Sequence, residues 1–270
     1  MPDIVIHALA AALYAALALH FWNTRWRGAA EAPAALAGWE RLAMLAPLAL
    51  HAWLLYADVI EPAQPRFGFG HALSAMLWLA VLFYWLESFF YGLEGLLPPA
   101  LGLAALSAPL PALFPGRMAE HAASLEFKAH LVLAMLAYSL FTLAILHALL
   151  MSFAERRLHR RSVAALGALP PLLTQERLLF RLIGAAFALL TLTLATGIAF
   201  SESLFGRALR FDHKTLFAVL SWLTFALLLG GRGLYGWRGR TALRWTFAGF
   251  LFLLLAYVGS RFVLEVLLRR

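Results

Sequence analysis

The chain has 270 residues, of which 63% are hydrophobic and 13% charged, and its mean hydropathy is +0.80. A soluble domain of this size cannot bury so much apolar surface, and apolar windows of about 20 residues, long enough to cross a bilayer, recur along the chain. Only helices satisfy their own backbone groups in lipid, so an all-α polytopic transmembrane bundle is predicted. The absence of cysteine excludes disulfides and thiolate ligation.

Clusters of proline, glycine and charge divide the chain into about eight predicted spans within one integral membrane domain, residues 1–270. We expect the first span to be retained, since the N-terminus lacks a basic leader and a cleavage site. The fourth carries five prolines in EGLLPPALGLAALSAPLPALFPG and is expected to be kinked or broken. The predicted bounds are 3–22, 39–60, 70–90, 93–113, 128–153, 178–200, 213–230 and 243–266.

Arginine-rich sequences follow the first, fifth and seventh predicted spans: RWRG, ERRLHRR and GRGLYGWRGRTALRW. The loops after the second, fourth and sixth predicted spans carry both acidic and basic residues. By the positive-inside rule the arginine-rich loops are cytoplasmic, which places both termini on the outer side of the membrane. The net charge of +8 therefore indicates topology, and without a basic patch interleaved with aromatic residues it does not indicate a nucleic-acid partner.

Several of the nine histidines lie within or beside predicted spans, where ionisable groups are costly and usually face the bundle interior. His51 lies inside the second span. His71, His130 and His213 lie at or near the outer ends of the third, fifth and seventh spans. His147 lies in the inner half of the fifth span and cannot share a ligand with His130, because about 17 residues of helix put them roughly 25 Å apart. Each could instead bond a neighbouring helix.

His130 shares its helix face with Ala134, Phe141 and, more loosely, Tyr138, which predicts a groove of small and aromatic side chains. Either a flat macrocycle or a packed helix could fill such a groove.

A second concentration of chemistry precedes the seventh span in RALRFDHK. Asp212 is a candidate cap for the helix that begins there. Arg207 and Arg210, with His213 nearby, could pair with the carboxylates of a porphyrin or with lipid phosphate, or could serve only as a membrane anchor.

The segments EFKAHLVLAMLAYSLFTLAILHALL and FDHKTLFAVLSWLTFALLLGGRGLYGWRGRTALRWTFAGFLFLLLAYVGSRF resemble the cytochrome c assembly family of haem-handling membrane proteins. The similarity is greatest to its short HemX-like, YpjD-type inner-membrane branch. It covers most of the chain and is strongest from Ser124 onward. Its specific parts are the histidine and tyrosine spaced as His130 and Tyr138, the GWRGR sequence and the terminal YVGSRF. The resemblance implies a haem-binding or haem-handling protein of cytochrome c assembly or haem homeostasis.

The resemblance also implies a set of site residues. In haem-exporting members of the family, a tryptophan-rich outer segment holds haem between histidines of flanking loops, and a further histidine pair binds haem within the membrane. His130 matches the histidine that precedes the tryptophan-rich segment, and His51 matches an intramembrane histidine. His213 or His71 would then be the second ligand of the iron, on the opposite face of the haem from His130. Tyr138 would line the same site, and Arg207 and Arg210 would pair with the haem propionates.

The sequence departs from the family pattern in ways that keep other functions open. SESLFGRALRFDHKT, which lacks tryptophan, replaces the tryptophan-rich segment, and two of the four expected histidine ligands are absent. These differences argue against covalent cytochrome c synthesis and favour, as an alternative, a membrane scaffold that kept the fold without haem. A small-molecule transporter ranks last, since only the proline-rich fourth span offers a broken helix. No spacing of carboxylates or nucleophiles predicts an enzyme.

Overall fold

A computed structural model describes residues 2–27, 36–61, 66–92, 94–118, 124–159, 172–205 and 212–268. Nearly all of the described chain is helical. The helices are α1 (Pro2–Phe21), α2 (Gly38–Leu55), α3 (Phe69–Glu87), α4 (Leu97–Ser107), α5 (Leu110–Leu113), α6 (Leu125–His159), α7 (Leu172–Phe205), α8 (His213–Tyr235), α9 (Gly239–Leu254) and α10 (Ser260–Phe262). Turns of π-helix extend three of them at Trp22–Arg27, Tyr56–Ile60 and Leu255–Gly259, and a last one follows α10 at Val263–Leu267.

Seven helical segments in the described chain are long and apolar enough to cross a membrane, which confirms the polytopic helical bundle. They are Ile4–Arg27, Gly38–Ile60, Phe69–Glu87, Leu125–Arg156, Leu172–Phe200, His213–Tyr235 and Gly239–Leu267. The predicted count of about eight is approximate, because the fourth segment, Leu97–Leu113, is a shorter apolar stretch.

The fourth segment is broken where its prolines predict. α4 begins with prolines in its first turn, where no backbone hydrogen bond is lost. It ends at Ser107, and Pro109 and Pro111 then start the separate four-residue helix α5. Proline cannot donate to the preceding turn and its ring clashes with it. About 17 residues of helix measure roughly 25 Å, which is less than the hydrocarbon thickness.

The bundle has two main cores. One lies among α1 to α4 around Tyr14, Phe21, Met44 and Tyr84, and the other among α6 to α9 around Phe141, Leu179, Ile183 and Phe225. Helix α3 packs against α6 and joins the two halves. The most extensive contact between helices in the described chain is that of α6 with α7, and it frames the predicted His130 site.

The outer end of the bundle is tied together by backbone groups. The short strands β1 (Arg66–Phe67) and β2 (Arg117–Met118) pair antiparallel. Gly116, at a φ of +66°, contacts the backbone of Gly68 so closely that a side chain at either position would collide. Glu265, near the end of the last span, accepts a hydrogen bond of 3.1 Å from the backbone N–H of Phe69 at the start of α3. The C-terminal span is thereby fixed to α3, two residues before His71.

Candidate functional site

The imidazole of His130 lies between α6 and α7 and is half-buried. Its Nδ1 is 3.1 Å from the hydroxyl oxygen of Thr196. The ring also lies directly on Gly197, since a β-carbon built at that glycine would be 3.2 Å from His130 Cε1. The absence of a side chain at Gly197 therefore makes the space for the ring.

The hydroxyl of Thr196 decides which nitrogen of His130 carries the hydrogen. Thr196 Oγ1 lies 2.8 Å from the carbonyl oxygen of Leu192 and 3.0 Å from that of Thr193, and carbonyls only accept. The single hydroxyl hydrogen is therefore donated to the backbone, and the oxygen accepts from His130. The hydrogen bond places the His130 proton on Nδ1 and leaves the lone pair on Nε2.

Packed side chains occupy the groove at the level of Tyr138 and Phe141. The hydroxyl of Tyr138 donates to the carbonyl oxygen of Leu253 at 2.8 Å. The ring of Phe141 stacks on Phe225 with centroids 4.0 Å apart. The sequence allowed either a flat macrocycle or a packed helix in this groove. At the level of Tyr138 and Phe141 the structure shows packed helices.

His51 lies in the bundle interior, as the second predicted span requires, and is fully buried. Its Nε2 is 2.7 Å from the hydroxyl oxygen of Ser74 on α3. Its ring meets that of Tyr14 edge-on at 5.7 Å. The Nδ1 atom is buried and has no hydrogen-bond partner in the part of the chain that the structure describes. The packing around His51 is closed on the sides formed by α1 and α3.

His71 belongs to a second buried contact at the same end of the bundle. The Nε2 atoms of His71 and His7 each lie 3.8 Å from Asp58 Oδ2. His7 also donates from Nδ1 to the carbonyl oxygen of Ala108 at 2.7 Å. These side chains connect α1, α2, α3 and the turn between α4 and α5.

No group of three or more potential metal ligands is arranged around a common point among the described residues. His7 received no role from sequence, because no pattern in the sequence pairs a residue near the N-terminus with Asp58 and His71 on other helices.

His213 begins α8 and is exposed. Asp212 caps that helix as predicted, accepting from the backbone N–H of Thr215 at 2.9 Å and from its hydroxyl at 3.1 Å. Partial burial raises the pKa of Asp212, but these two hydrogen bonds, together with the charges of Lys214 and His213, outweigh burial, and the pKa lies below its usual value. Arg207 and Arg210 lie outside the described residues, so their pairing with an anion stays a prediction.

His130 lies apart from the other predicted ligands. No hydrogen bond, ion pair or ring contact joins His130 to His51, His71 or His213 in the described ranges. Their assignment as iron ligands therefore stays a prediction.

His147, on the opposite part of α6, is fully buried and forms a contact that sequence reasoning missed. Its Nε2 lies 3.2 Å from Glu87 Oε2 at the end of α3. The side chain of Glu87 is only 11% exposed and faces the imidazole. Sequence offered one indication of this contact. Glu87 and His147 are ionisable residues in two predicted spans, and such residues usually pair with each other.

The sequence model of the family described as Cytochrome C assembly protein matches residues 36–268. The inner membrane protein YpjD of Escherichia coli K12 is 31% identical over 173 residues, which are 64% of this chain and 65% of the relative. An uncharacterised 28.8 kDa protein of Azospirillum brasilense is 39% identical over 140 residues, 52% of each chain.

Similarity to the cytochrome c biogenesis protein CcsA of Picosynechococcus is confined to 86 residues, at 33% identity, covering 32% of this chain and 25% of that relative. The chain thus spans a little under two thirds of the E. coli relative. No solved structure matches the chain significantly.

The family match covers most of the chain, including the helices that hold His51, His71, His130 and His213. Together with the seven apolar helices, the similarity to an E. coli inner membrane protein indicates a multi-pass protein of the inner membrane. The chain belongs to the cytochrome c assembly protein family.

Proposed function

We propose that this protein binds haem in the inner membrane and handles it for cytochrome c biogenesis, with His130 as an axial ligand. In this proposal it acts by binding rather than by catalysing a reaction. Its partners are the lipid bilayer, haem and other membrane proteins of cytochrome c maturation. Family membership supports the setting, and the geometry of His130 supports the ligand.

The observation that carries the proposal is the hydrogen bond from His130 to Thr196. An axial histidine must offer a neutral nitrogen with a free electron pair, and its other ring nitrogen is usually held by an acceptor that orients the ring. Thr196 Oγ1 is such an acceptor, since its own hydrogen is engaged by the backbone carbonyls of Leu192 and Thr193. This hydrogen bond supports the proposal because it favours the His130 tautomer whose Nε2 lone pair could bind iron.

The other predicted ligands, His213, His71 and His51, differ in how accessible they are to haem iron. His213 is exposed at the start of α8, on the same predicted outer side as His130. His71 is 2% exposed and its Nε2 faces Asp58. Of the two candidates for the opposite axial position, the exposure of His213 favours it. His51 is enclosed by Tyr14 and Ser74, so iron binding there requires these side chains to move apart.

The residues of the outer site fit haem in their chemistry. Haem, when bound, supplies an iron centre and two carboxylates. His130 would hold the iron through Nε2, while the bond to Thr196 keeps the ring from rotating. Arg207 and Arg210 carry charges that match the propionates. The protein thus contributes ligation, orientation and charge at its outer face.

Haem titration of the purified protein, followed by its visible spectrum, tests the proposal. We expect a Soret band typical of histidine ligation, and His130→Ala should weaken haem binding at least tenfold, since losing even an orienting partner of a metal ligand costs about 10–100-fold in affinity. His159→Ala, at the other end of α6, is the matched control and should leave the spectrum unchanged. A wild-type protein without a Soret band, or equal haem binding by both variants, would instead favour the scaffold that kept the fold without haem.

A further inference from the structure

A cavity of about 420 Å³ opens between α6 and α9 at the arginine-rich end of the bundle. We call it the arginine pocket. Helix α6 contributes Ser152, Glu155 and Arg156, and helix α9 contributes Arg240, Leu243, Arg244 and Phe247. The pocket lies at the opposite end of α6 from His130, so it belongs to a different site.

The charge of the pocket favours an anion. Arg156, Arg240 and Arg244 line it together with a single carboxylate, that of Glu155. Among the described residues, none of these three guanidinium groups forms an ion pair. Guanidinium groups bind phosphate through paired, charge-assisted hydrogen bonds. Their convergence on one cavity from two helices provides donors on both sides of a bound phosphate.

The depth of the pocket matches the level of lipid headgroups. Arg156 is the last residue of one membrane-spanning segment, and Gly239, next to Arg240, is the first of another. The arginines thus lie at the boundary of the apolar region, on the side that the positive-inside rule predicts to be cytoplasmic. Basic pockets between spans on this side are suited to anionic lipid headgroups.

The polarity of the pocket changes along its depth. Phe247 lies about 10 Å farther along α9 than Arg240, toward the middle of the span. Leu243 and Phe247 therefore add an apolar wall on the membrane side of the arginines. A free phosphate ion has no apolar surface to bury against Leu243 and Phe247, whereas the first carbons of an acyl chain would pack against them.

From this arrangement we infer that the arginine pocket binds the phosphate of an anionic phospholipid, with the start of an acyl chain against Leu243 and Phe247. Native mass spectrometry of the full-length protein in detergent, with phosphatidylglycerol added in increasing amounts, tests the inference. The double variant Arg240→Gln, Arg244→Gln should reduce the apparent affinity about 30-fold, since two arginines near a membrane surface together contribute roughly 2 kcal/mol. The variant Arg240→Lys, Arg244→Lys keeps the charge and should retain part of the binding.

The matched control removes two charges from the same end of the protein but outside the cavity, with Arg177→Gln and Arg238→Gln. It should bind phosphatidylglycerol like the wild type. Equal losses in both glutamine variants would overturn the inference in favour of general surface attraction. Equal retention of phosphatidylcholine would overturn the role of charge, and full competition by inorganic phosphate would identify a phosphate site in place of a lipid site. Size-exclusion profiles identify a variant that fails to fold, in which case the lysine variant decides.

Discussion

His130 and His147 are the same type of residue on the same helix, α6, yet their surroundings leave different ring nitrogens available. At the outer end His130 donates from Nδ1 to Thr196 and is only half-buried. At the other end His147 donates from Nε2 to Glu87 and is fully buried. Its Nδ1 is buried without a hydrogen-bond partner among the described residues.

The difference shows that the acceptor decides what an imidazole in a membrane helix can do. A carboxylate can accept hydrogen bonds but cannot donate them, so Glu87 holds the hydrogen of His147 on Nε2. The remaining lone pair points into packed protein. Thr196 holds the hydrogen of His130 on Nδ1, and the remaining lone pair is on Nε2 of a half-buried ring. His147 is therefore a structural contact, and His130 is the candidate ligand.

The largest expected effect comes from breaking the inner contact. Glu87→Ala leaves the Nε2–H of His147 buried without its acceptor and should lower the free energy of unfolding by about 1–3 kcal/mol. Glu87→Gln retains a carbonyl acceptor and should cost less. Thermal or denaturant unfolding in detergent measures both.

The control for the inner contact is Glu61→Ala, which removes the same charge from an exposed residue. If Glu61→Ala destabilises as much as Glu87→Ala, the buried pair is not the cause. Haem affinity should be unchanged in either variant, because His130 lies at the other end of α6. A large loss of haem binding in Glu87→Ala would remove the distinction between the two histidines.

A smaller effect is expected from releasing the outer histidine while leaving it in place. Thr196→Val preserves the shape of the side chain but removes the acceptor, so the ring can rotate and exchange tautomers. Haem affinity should fall about tenfold, as for other orienting partners of metal ligands, and Thr196→Ser should restore it. Thr224→Val on α8 is a matched control, since its hydroxyl also bonds the carbonyl four residues earlier. Unchanged haem affinity in Thr196→Val would contradict the tautomer argument.

The smallest effect concerns the helix that carries His213. Asp212→Ala removes the cap of α8 and should cost about 1 kcal/mol of stability. Because the pKa of Asp212 is lowered in the folded protein, the stabilisation is present above the usual pKa of aspartate and is lost as the pH falls through the folded value. Unfolding midpoints of wild type and Asp212→Ala should therefore converge at low pH. A constant difference between them across that range would show that the cap does not act through its charge.

Much of the architecture follows from local properties of the sequence. The apolar windows predict the spans because a bilayer leaves the backbone no other hydrogen-bond partners. Pro109 and Pro111 predict the break between α4 and α5, since proline disrupts the preceding turn wherever it occurs. Asp212 predicts the start of α8 for the same kind of reason, as a cap needs only the three residues that follow it.

The candidate site required the fold, because its decisive contacts join residues far apart in the chain. Sequence identified His130 as a ligand candidate but gave no means of finding Thr196, which is 66 positions away on α7. For the same reason the sequence could not predict the contact of His147 with Glu87, or the contacts of His7 and His71 with Asp58.

The sequence by itself determined that this chain crosses a membrane as helices and which polar residues lie within them, since hydropathy and chain stiffness act over a few turns. Only the tertiary structure decided what each imidazole faces. The direction of a side chain around a helix matters only once a neighbouring helix supplies the acceptor, the glycine or the empty space beside it.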